Sequence, residues 1–377
     1  MPKYPAGSGV ANPEIYALGR HFEIAGRPVE VASVTTGHIH DTYLVTYVDS
    51  ERRARYIHQR INQHVFHDPP RLMENIERVI QHIRAKLESE QHPDISRHVP
   101  SLVHTREGRP YCQDEDGAYW RTWLHIEGVC SHAIVHSPTL ARRAARAFGR
   151  FVRLLADFPG PQLHETIADF HDTPKRYAQL RRAIDADVCG RVTTAQGEIA
   201  FASERLAVAY TLMELQTQGV LRRHIVHNDT KIANILFDAV SDEALCVIDL
   251  DTVMPGSLLH DFGDLVRTAG SASGEDERDL ERIYMRLPVF EALAQGYLAE
   301  TAPLFTEGEF ELLPFAGKLV SLETGVRFLT DYLEGDTYFK TAYPQHNLAR
   351  ARNQFALVSS MEKQESAMQA VISRLYG

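Results

Sequence analysis

The stretch that decides the fold reads His227-Asn228-Asp229-Thr230-Lys231-Ile232-Ala233-Asn234-Ile235-Leu236-Phe237 and, after a turn at Ser241-Asp242, Leu245-Cys246-Val247-Ile248-Asp249-Leu250-Asp251. Ile225-Val226 leads as a short strand into a polar loop. A second strand leaves the loop at 235–237, and a third, at 245–248, ends on Asp249. A loop of this kind can be a plain connection in which Asp229 and Asn234 bond only to backbone. The strand, loop and strand context points further.

Asn234 follows Asp229 by five residues, and Asp249 comes directly after an apolar strand. This is the spacing of a kinase catalytic loop. Phosphoryl transfer needs a carboxylate to orient the attacking hydroxyl and take its proton, and oxygen ligands for a Mg²⁺ that bridges the β- and γ-phosphates. Asp229 is the candidate for the first task, and Asn234 and Asp249 for the second. Asp251 lies two residues beyond Asp249, on the same side of an extended chain. It reads either as a ligand of a second Mg²⁺ or as a hydrogen-bonded structural carboxylate. His227 reads as a packed scaffold residue. Downstream, Asp261-Phe262-Gly263 spells a kinase metal tripeptide, but it follows a Pro- and Gly-containing loop, so Asp261 is expected to cap the next helix.

Upstream, residues 29–34 and 42–48 are rich in β-branched and aromatic side chains and flank Gly37, which predicts a hairpin. Further strands are expected at 56–61, around 99–103 and at 119–126. Pro69 and Pro70 open a helix whose apolar stripe is Leu72, Ile76, Val79, Ile80, Ile83 and Leu87. In the hairpin, backbone N–H groups near Gly37 and the Thr42 hydroxyl are candidates to cover phosphates, a plain β-turn being the alternative. The lysine expected on the third strand is absent. Ile57-His58-Gln59-Arg60 stands there, so Arg60 or Gln59 is the substitute candidate, with Glu74 or Glu77 as partner on the helix. A solvated surface charge is the alternative.

Beyond Gly128 helices dominate. One is capped by Ser137 with Pro138 at its first position and runs toward Gly160; others are expected over 204–216, 309–332 and 347–375. The reading is an α+β, two-lobed, protein-kinase-like fold. Residues 1–123 form a β-rich ATP-binding lobe, 124–128 a hinge with Leu124 and Ile126 at the nucleotide, and 129–377 a mainly helical lobe.

A chain of 377 residues with 44% hydrophobic content suits two such bodies. A formal net charge of −10 leaves no basic excess for a nucleic acid. The first 22 residues lack a signal-peptide pattern, and no run approaches the length that spans a bilayer, so a cytoplasmic protein without a membrane partner is expected. Cys112, Cys130, Cys189 and Cys246 are too scattered for a disulfide framework or a zinc site.

The loop and the Ile248-Asp249-Leu250-Asp251 run resemble the aminoglycoside phosphotransferase superfamily. Longer stretches are similar to the bacterial N-acetylhexosamine 1-kinases: residues 37–45, Met73-Glu74-Asn75-Ile76-Glu77, His227-Asn228-Asp229-Thr230-Lys231, residues 247–256 and residues 327–339. The resemblance implies ATP-dependent phosphorylation of the anomeric hydroxyl of N-acetylglucosamine or N-acetylgalactosamine, with Mg²⁺ as cofactor. It also places Asp229, Arg327 and Tyr338 at the sugar. Read locally instead, Arg327 pairs with Asp331 one helical turn on, and Tyr338 is a core aromatic after the Gly335-Asp336 turn. His40 stands where the relatives commonly carry asparagine, and His58 sits in an otherwise apolar strand.

Two other readings stay open. One is a kinase of the same fold acting on choline, homoserine or an aminoglycoside, although such cations call for an acidic or aromatic cage and Arg327 adds positive charge. The other is a non-catalytic nucleotide sensor, which the missing strand lysine suggests. Neither the epimer nor the oligomeric state can be read from the chain.

Overall fold

The computed structural model describes residues 13–34 and 39–376, so Gly37 and the tip of the expected hairpin lie outside the described residues. The chain gathers into two compact units. The first contains the residues up to Ser131, with Asp157–Ile167 and Ile235–Met254; the second contains His132–Ala156, Ala168–Asn234 and the chain from Pro255 onward. A single cut at 124–128 does not describe this division. Strand pairing is the reason: β7 (Val129–Cys130) pairs with β9 (Ile235–Asp238), which pairs with β10 (Ala244–Val247), and this small sheet carries 235–254 into the first unit.

In the first unit, β1 (Arg27–Ser33), β2 (Asp41–Asp49), β3 (Arg52–Arg60), β4 (Leu102–Val103), β5 (Cys112–Gln113) and β6 (Tyr119–Leu124) form one antiparallel sheet. Its order is β1-β2-β3-β6-β4, with β5 on β6. The β2–β3 register runs unbroken from Asp41 opposite Arg60 to Asp49 opposite Arg52, closed by a tight turn with Ser50 at φ +56°. Phe22, Val31, Val45, Tyr47 and Trp120 form a core on one face with Ile15 and Leu18 of α1 (Pro13–Leu18). The expected strands at 29–34, 42–48, 56–61 and 119–126 are present with shifted ends, whereas that at 99–103 shrinks to two residues. Strand β5 was not anticipated, because two residues carry no readable alternation.

Helix α2 (Pro69–Ser89) starts where the prolines predict. Asp68 caps it by accepting the Arg71 N–H, and Leu72, Met73, Ile76, Val79, Ile80, Ile83 and Leu87 are buried. It packs against the short helical turn Leu250–Thr252, which follows Asp249.

The second unit holds α3 (Pro138–Leu154), α4 (Thr173–Ala186), α5 (Gln196–Glu204), α6 (Leu206–Thr217), strand β8 (His224–Val226), α7 (Leu258–Gly270), α8 (Leu287–Thr301), α9 (Glu307–Glu311), α10 (Leu313–Glu334), α11 (His346–Lys363) and α12 (Glu365–Tyr376). Helix α10 is central and packs against α4, α7 and α11, with Leu322, Val326, Leu329 and Leu333 in the core. Gly263 allows the α7–α10 contact: a Cβ there would lie 2.5 Å from the Ala316 carbonyl oxygen. The expected helix toward Gly160 ends at Leu154, and those at 309–332 and 347–375 each divide in two, at Leu312 and Gln364. Pro314 accounts for the first break, because proline tolerates only the opening turn of a helix.

Candidate active site

The loop after β8 is set by its backbone. Asn228 takes a left-handed conformation, φ +63°, which turns the chain sharply between the buried His227 and Asp229. The His227 and Asn228 N–H groups donate to the two carboxylate oxygens of Asp261 at 2.9 and 2.7 Å, and the Thr230 hydroxyl donates to the Asp261 carbonyl at 2.6 Å. Asp261 is therefore not a helix cap. The cap of α7 is Ser257, which accepts the Leu259 N–H, and Asp261 lies within the helix as a brace under the loop. His227 packs edge-on against Phe148 and Phe151, in agreement with a scaffold role.

Asp229 is partly exposed, its side chain at 25%. Lys231 Nζ lies 2.7 Å from Asp229 Oδ2, and Asn234 Nδ2 donates to the same oxygen at 3.0 Å and to the Asp229 carbonyl at 2.9 Å. Burial alone would raise the Asp229 carboxyl, but the adjacent Lys231 outweighs it and holds the group down at about 2. The carboxylate is thus ionised across the neutral range. With its amide nitrogen spent on Asp229, Asn234 keeps an oxygen that no described residue donates to, which suits a hard cation.

A buried network supports the other side of this loop. His171 bonds Glu323 at 2.9 Å through Nδ1 and the Asn228 carbonyl at 3.3 Å through Nε2, and Thr173 donates to Glu323 at 2.5 Å. Burial opposes a charge on His171, yet the Glu323 carboxylate beside it raises the imidazole above its ordinary value, so both ring nitrogens act as donors. His260, stacked on His171 at 4.4 Å, is pushed by burial down to about 3 and stays neutral.

One turn along α10 from Glu323 is Arg327. Its guanidinium lies 5.5 Å from the ring of Phe170, 5.8 Å from that of Tyr338 and 5.5 Å from that of Phe339. No carboxylate of the described residues pairs with it. The expected partner, Asp331, is buried and accepts the backbone N–H groups of Thr337, Tyr338 and Phe339 and an N–H of Asn347. Tyr338, 52% exposed, is no core aromatic. Arg327 and Tyr338 are brought together; the local ion pair fails because Asp331 is committed to the loop, and the core reading of Tyr338 fails because its side chain is exposed.

In the first unit, Asp249 follows β10 in a left-handed conformation, φ +65°, and opens the turn Leu250–Thr252. Asp251 does not present a free carboxylate. Arg121 Nη1 and Nη2 donate to its two oxygens at 2.6 and 2.7 Å, and His40 Nε2 lies 3.6 Å away. Burial would raise this carboxyl, but Arg121 and His40 hold it well below the usual range. With both oxygens on a guanidinium, the structural reading of Asp251 replaces that of a second metal ligand.

The nucleotide-side candidates fare unevenly. Thr42 accepts from Gln59 Nε2 at 3.3 Å, and Gln59 Oε1 accepts from Arg121 Nε and Trp123 Nε1 at 3.0 and 2.7 Å, so the Gln59 oxygen is already satisfied. Arg60 stands exposed at the end of β3, where it acts on Asp114. Glu74 and Glu77 are engaged by Arg78, His164 and His104, so the expected ion pair with Arg60 does not form. Leu124 is exposed and bonds the Ser101 carbonyl through its N–H, while the backbone of Ile126 has no partner among the described residues. His40 stacks on Phe66 and accepts the Asn62 N–H, and His58 is buried between Tyr47 and Thr122.

Sequence reasoning missed Lys231, Asp261, His171, Glu323 and Arg121. Lys231 was legible, since it stands in the loop two residues past Asp229. The others are brought in from distant parts of the chain.

The pattern of the phosphotransferase enzyme family matches residues 30–285. Among solved structures the fold is similar to a spectinomycin phosphotransferase in complex with ADP and spectinomycin (12% identity, 94% of this chain and 100% of that one, TM-score 0.59). It is also similar to choline kinase from Cryptosporidium parvum Iowa II (14%, 97% and 99%, TM-score 0.56) and to a microcompartment-associated aminopropanol kinase (16%, 95% and 98%, TM-score 0.54). At these identities the likeness is one of fold, and it bears out the α+β, kinase-like architecture.

Proposed function

We propose, from the premise that this chain belongs to the phosphotransferase enzyme family, that it transfers the γ-phosphoryl group of ATP to the anomeric hydroxyl of an N-acetylhexosamine. Asp229, an ionised carboxylate hydrogen-bonded by Lys231, orients that hydroxyl and takes its proton as the sugar oxygen bonds to the γ-phosphorus and the bond to the β-bridging oxygen breaks. Asn234 and Asp249 would hold Mg²⁺, which supplies charge neutralisation on the phosphates. The backbone of Ile126, without a partner among the described residues, suits the hydrogen-bonding edge of adenine.

The observation that carries the acceptor class is Arg327. A half-buried guanidinium caged by Phe170, Tyr338 and Phe339, and paired with no described carboxylate, has donors to spend on neutral oxygens. Hydroxyl and acetamido oxygens meet that need, whereas choline and aminoglycosides would bring a second positive charge. The test is ADP release with Mg²⁺ and ATP over N-acetylglucosamine, N-acetylgalactosamine, glucose, galactose, choline, homoserine and kanamycin, with phosphorus NMR of any product. An anomeric phosphate on an N-acetylhexosamine is expected. Turnover of choline, homoserine or kanamycin alone overturns the sugar assignment, and nucleotide binding without ADP release on any acceptor points to a sensor.

A further inference from the structure

The first unit contains a buried ion pair that this mechanism does not use. Arg121 is 1% exposed and Asp251 3%, and the pair is bidentate. Desolvating two charges offsets most of their attraction, so such a pair is poorly explained as a source of stability and better explained by what it orients. Each end is anchored further. Arg121 Nε donates to Gln59 Oε1, which Trp123 also holds, and the guanidinium lies 5.3 Å from the Trp123 ring. On the other side the Thr166 hydroxyl donates to the Asp251 carbonyl at 2.7 Å, and His40, stacked on Phe66, approaches the same carboxylate.

What this arrangement fixes is the turn on which Asp249 sits. At φ +65° and ψ +57° Asp249 takes the left-handed conformation, which aspartate tolerates at some cost, so the contacts around the turn help to hold it there. The anchors on Asp251 lie just past that residue and tie the turn to β6 through Arg121 and to the 157–167 segment through Thr166. We propose that Arg121 and Asp251 are positioning residues for the metal-binding aspartate, a brace that sets the Asp249 carboxylate in its ligating orientation. On this assignment the cation absent from the third strand has no direct replacement at the phosphates: Arg121, cross-strand from Gln59, spends its charge on the metal-bearing turn. The inference rests on Asp249 being a metal ligand.

Mn²⁺ in place of Mg²⁺ tests it without recourse to turnover. Electron paramagnetic resonance of free Mn²⁺ titrates the full-length chain in the presence of a non-hydrolysable ATP analogue, and binding of the metal-free analogue is followed separately. Asp251→Asn and Arg121→Lys are each expected to weaken Mn²⁺ binding tenfold or more while metal-free nucleotide binding moves less than twofold. Mn²⁺ affinity within twofold of wild type, in a variant that still melts cooperatively, overturns the proposal. Should both variants fail to fold, Thr166→Val removes the hydroxyl bond to the Asp251 carbonyl together with a weak 3.7 Å contact to Met254 Sδ; a two- to fivefold weakening is expected, and no change overturns the proposal. Asp249→Ala separates the two layers. Loss of Mn²⁺ binding in Asp249→Ala with normal binding in Asp251→Asn defeats the brace alone, whereas normal binding in Asp249→Ala removes Asp249 as a ligand and the brace with it.

Discussion

The Asp331 carboxylate accepts the Tyr338 N–H at 2.8 Å, so the acid one turn beyond Arg327 shapes the loop over the arginine instead of neutralising it. Neighbouring N–H groups of Thr337 and Phe339 complete the set. An isolated helix would pair Arg327 with Asp331. Here the backbone donors of the following loop win, because they are fixed in place and an exposed ion pair is worth only about 0.5 kcal/mol.

Asp331→Ala should therefore act on the acceptor rather than on ATP. Three backbone N–H groups would lose their acceptor, at a cost of roughly 2–4 kcal/mol of stability. A rise in acceptor KM of tenfold or more with an unchanged ATP KM is expected from steady-state kinetics. An effect confined to the ATP KM contradicts the placement of Arg327 and Tyr338 at the acceptor.

Asp229→Asn should keep the fold and nucleotide binding and lose roughly 10²–10⁴-fold in kcat, the range of a removed general base. Lys231→Met should also lower kcat, since it removes the ammonium that hydrogen-bonds Asp229 Oδ2 and holds that carboxylate in place. Single-turnover product formation checks both. An Asp229→Asn enzyme with normal kcat takes Asp229 out of the reaction.

Asp261→Asn replaces one of two carboxylate oxygens by an amide that cannot accept, leaving either the His227 or the Asn228 N–H unpaired. Losing one such buried bond costs about 1–3 kcal/mol, so a lower melting temperature should accompany a lower kcat. A variant with wild-type melting and wild-type kcat would show that the loop holds its shape without this brace.

His58 predicts an acid-side loss of stability. Burial pushes its imidazole down to about 4, so the folded chain keeps it neutral while the unfolded chain takes up a proton below its ordinary value near 6.5. Stability falls as pH drops from about 6.5 to about 4, with a contribution on the order of 3 kcal/mol from this residue. Urea melts at pH 4.5, 5.5 and 7 should show His58→Asn losing roughly one proton's worth of that slope. A mutant slope equal to wild type would mean that His58 is charged in the folded state.

The local pattern from His227 to Asp251 was enough to predict the kinase-like class and the apolar strand that precedes Asp249, and to single out Asp229 as the candidate base, because those features depend on spacing within a few dozen residues. The stripe of α2 and the long strands were legible for the same reason, since alternation and helical period are properties of contiguous chain. Contacts over long separations were not legible. Arg121 meets Asp251 across 130 positions and His171 meets Glu323 across 152, and no local signal distinguishes these from solvated charges. The fates of Asp261, Asp331 and Asp251 were settled the same way. Each had an ordinary local role available as a cap, an ion pair or a ligand, and each was taken instead by buried donors that only the tertiary structure delivers, because a desolvated N–H or guanidinium costs more to leave unpaired than a surface charge gains by pairing.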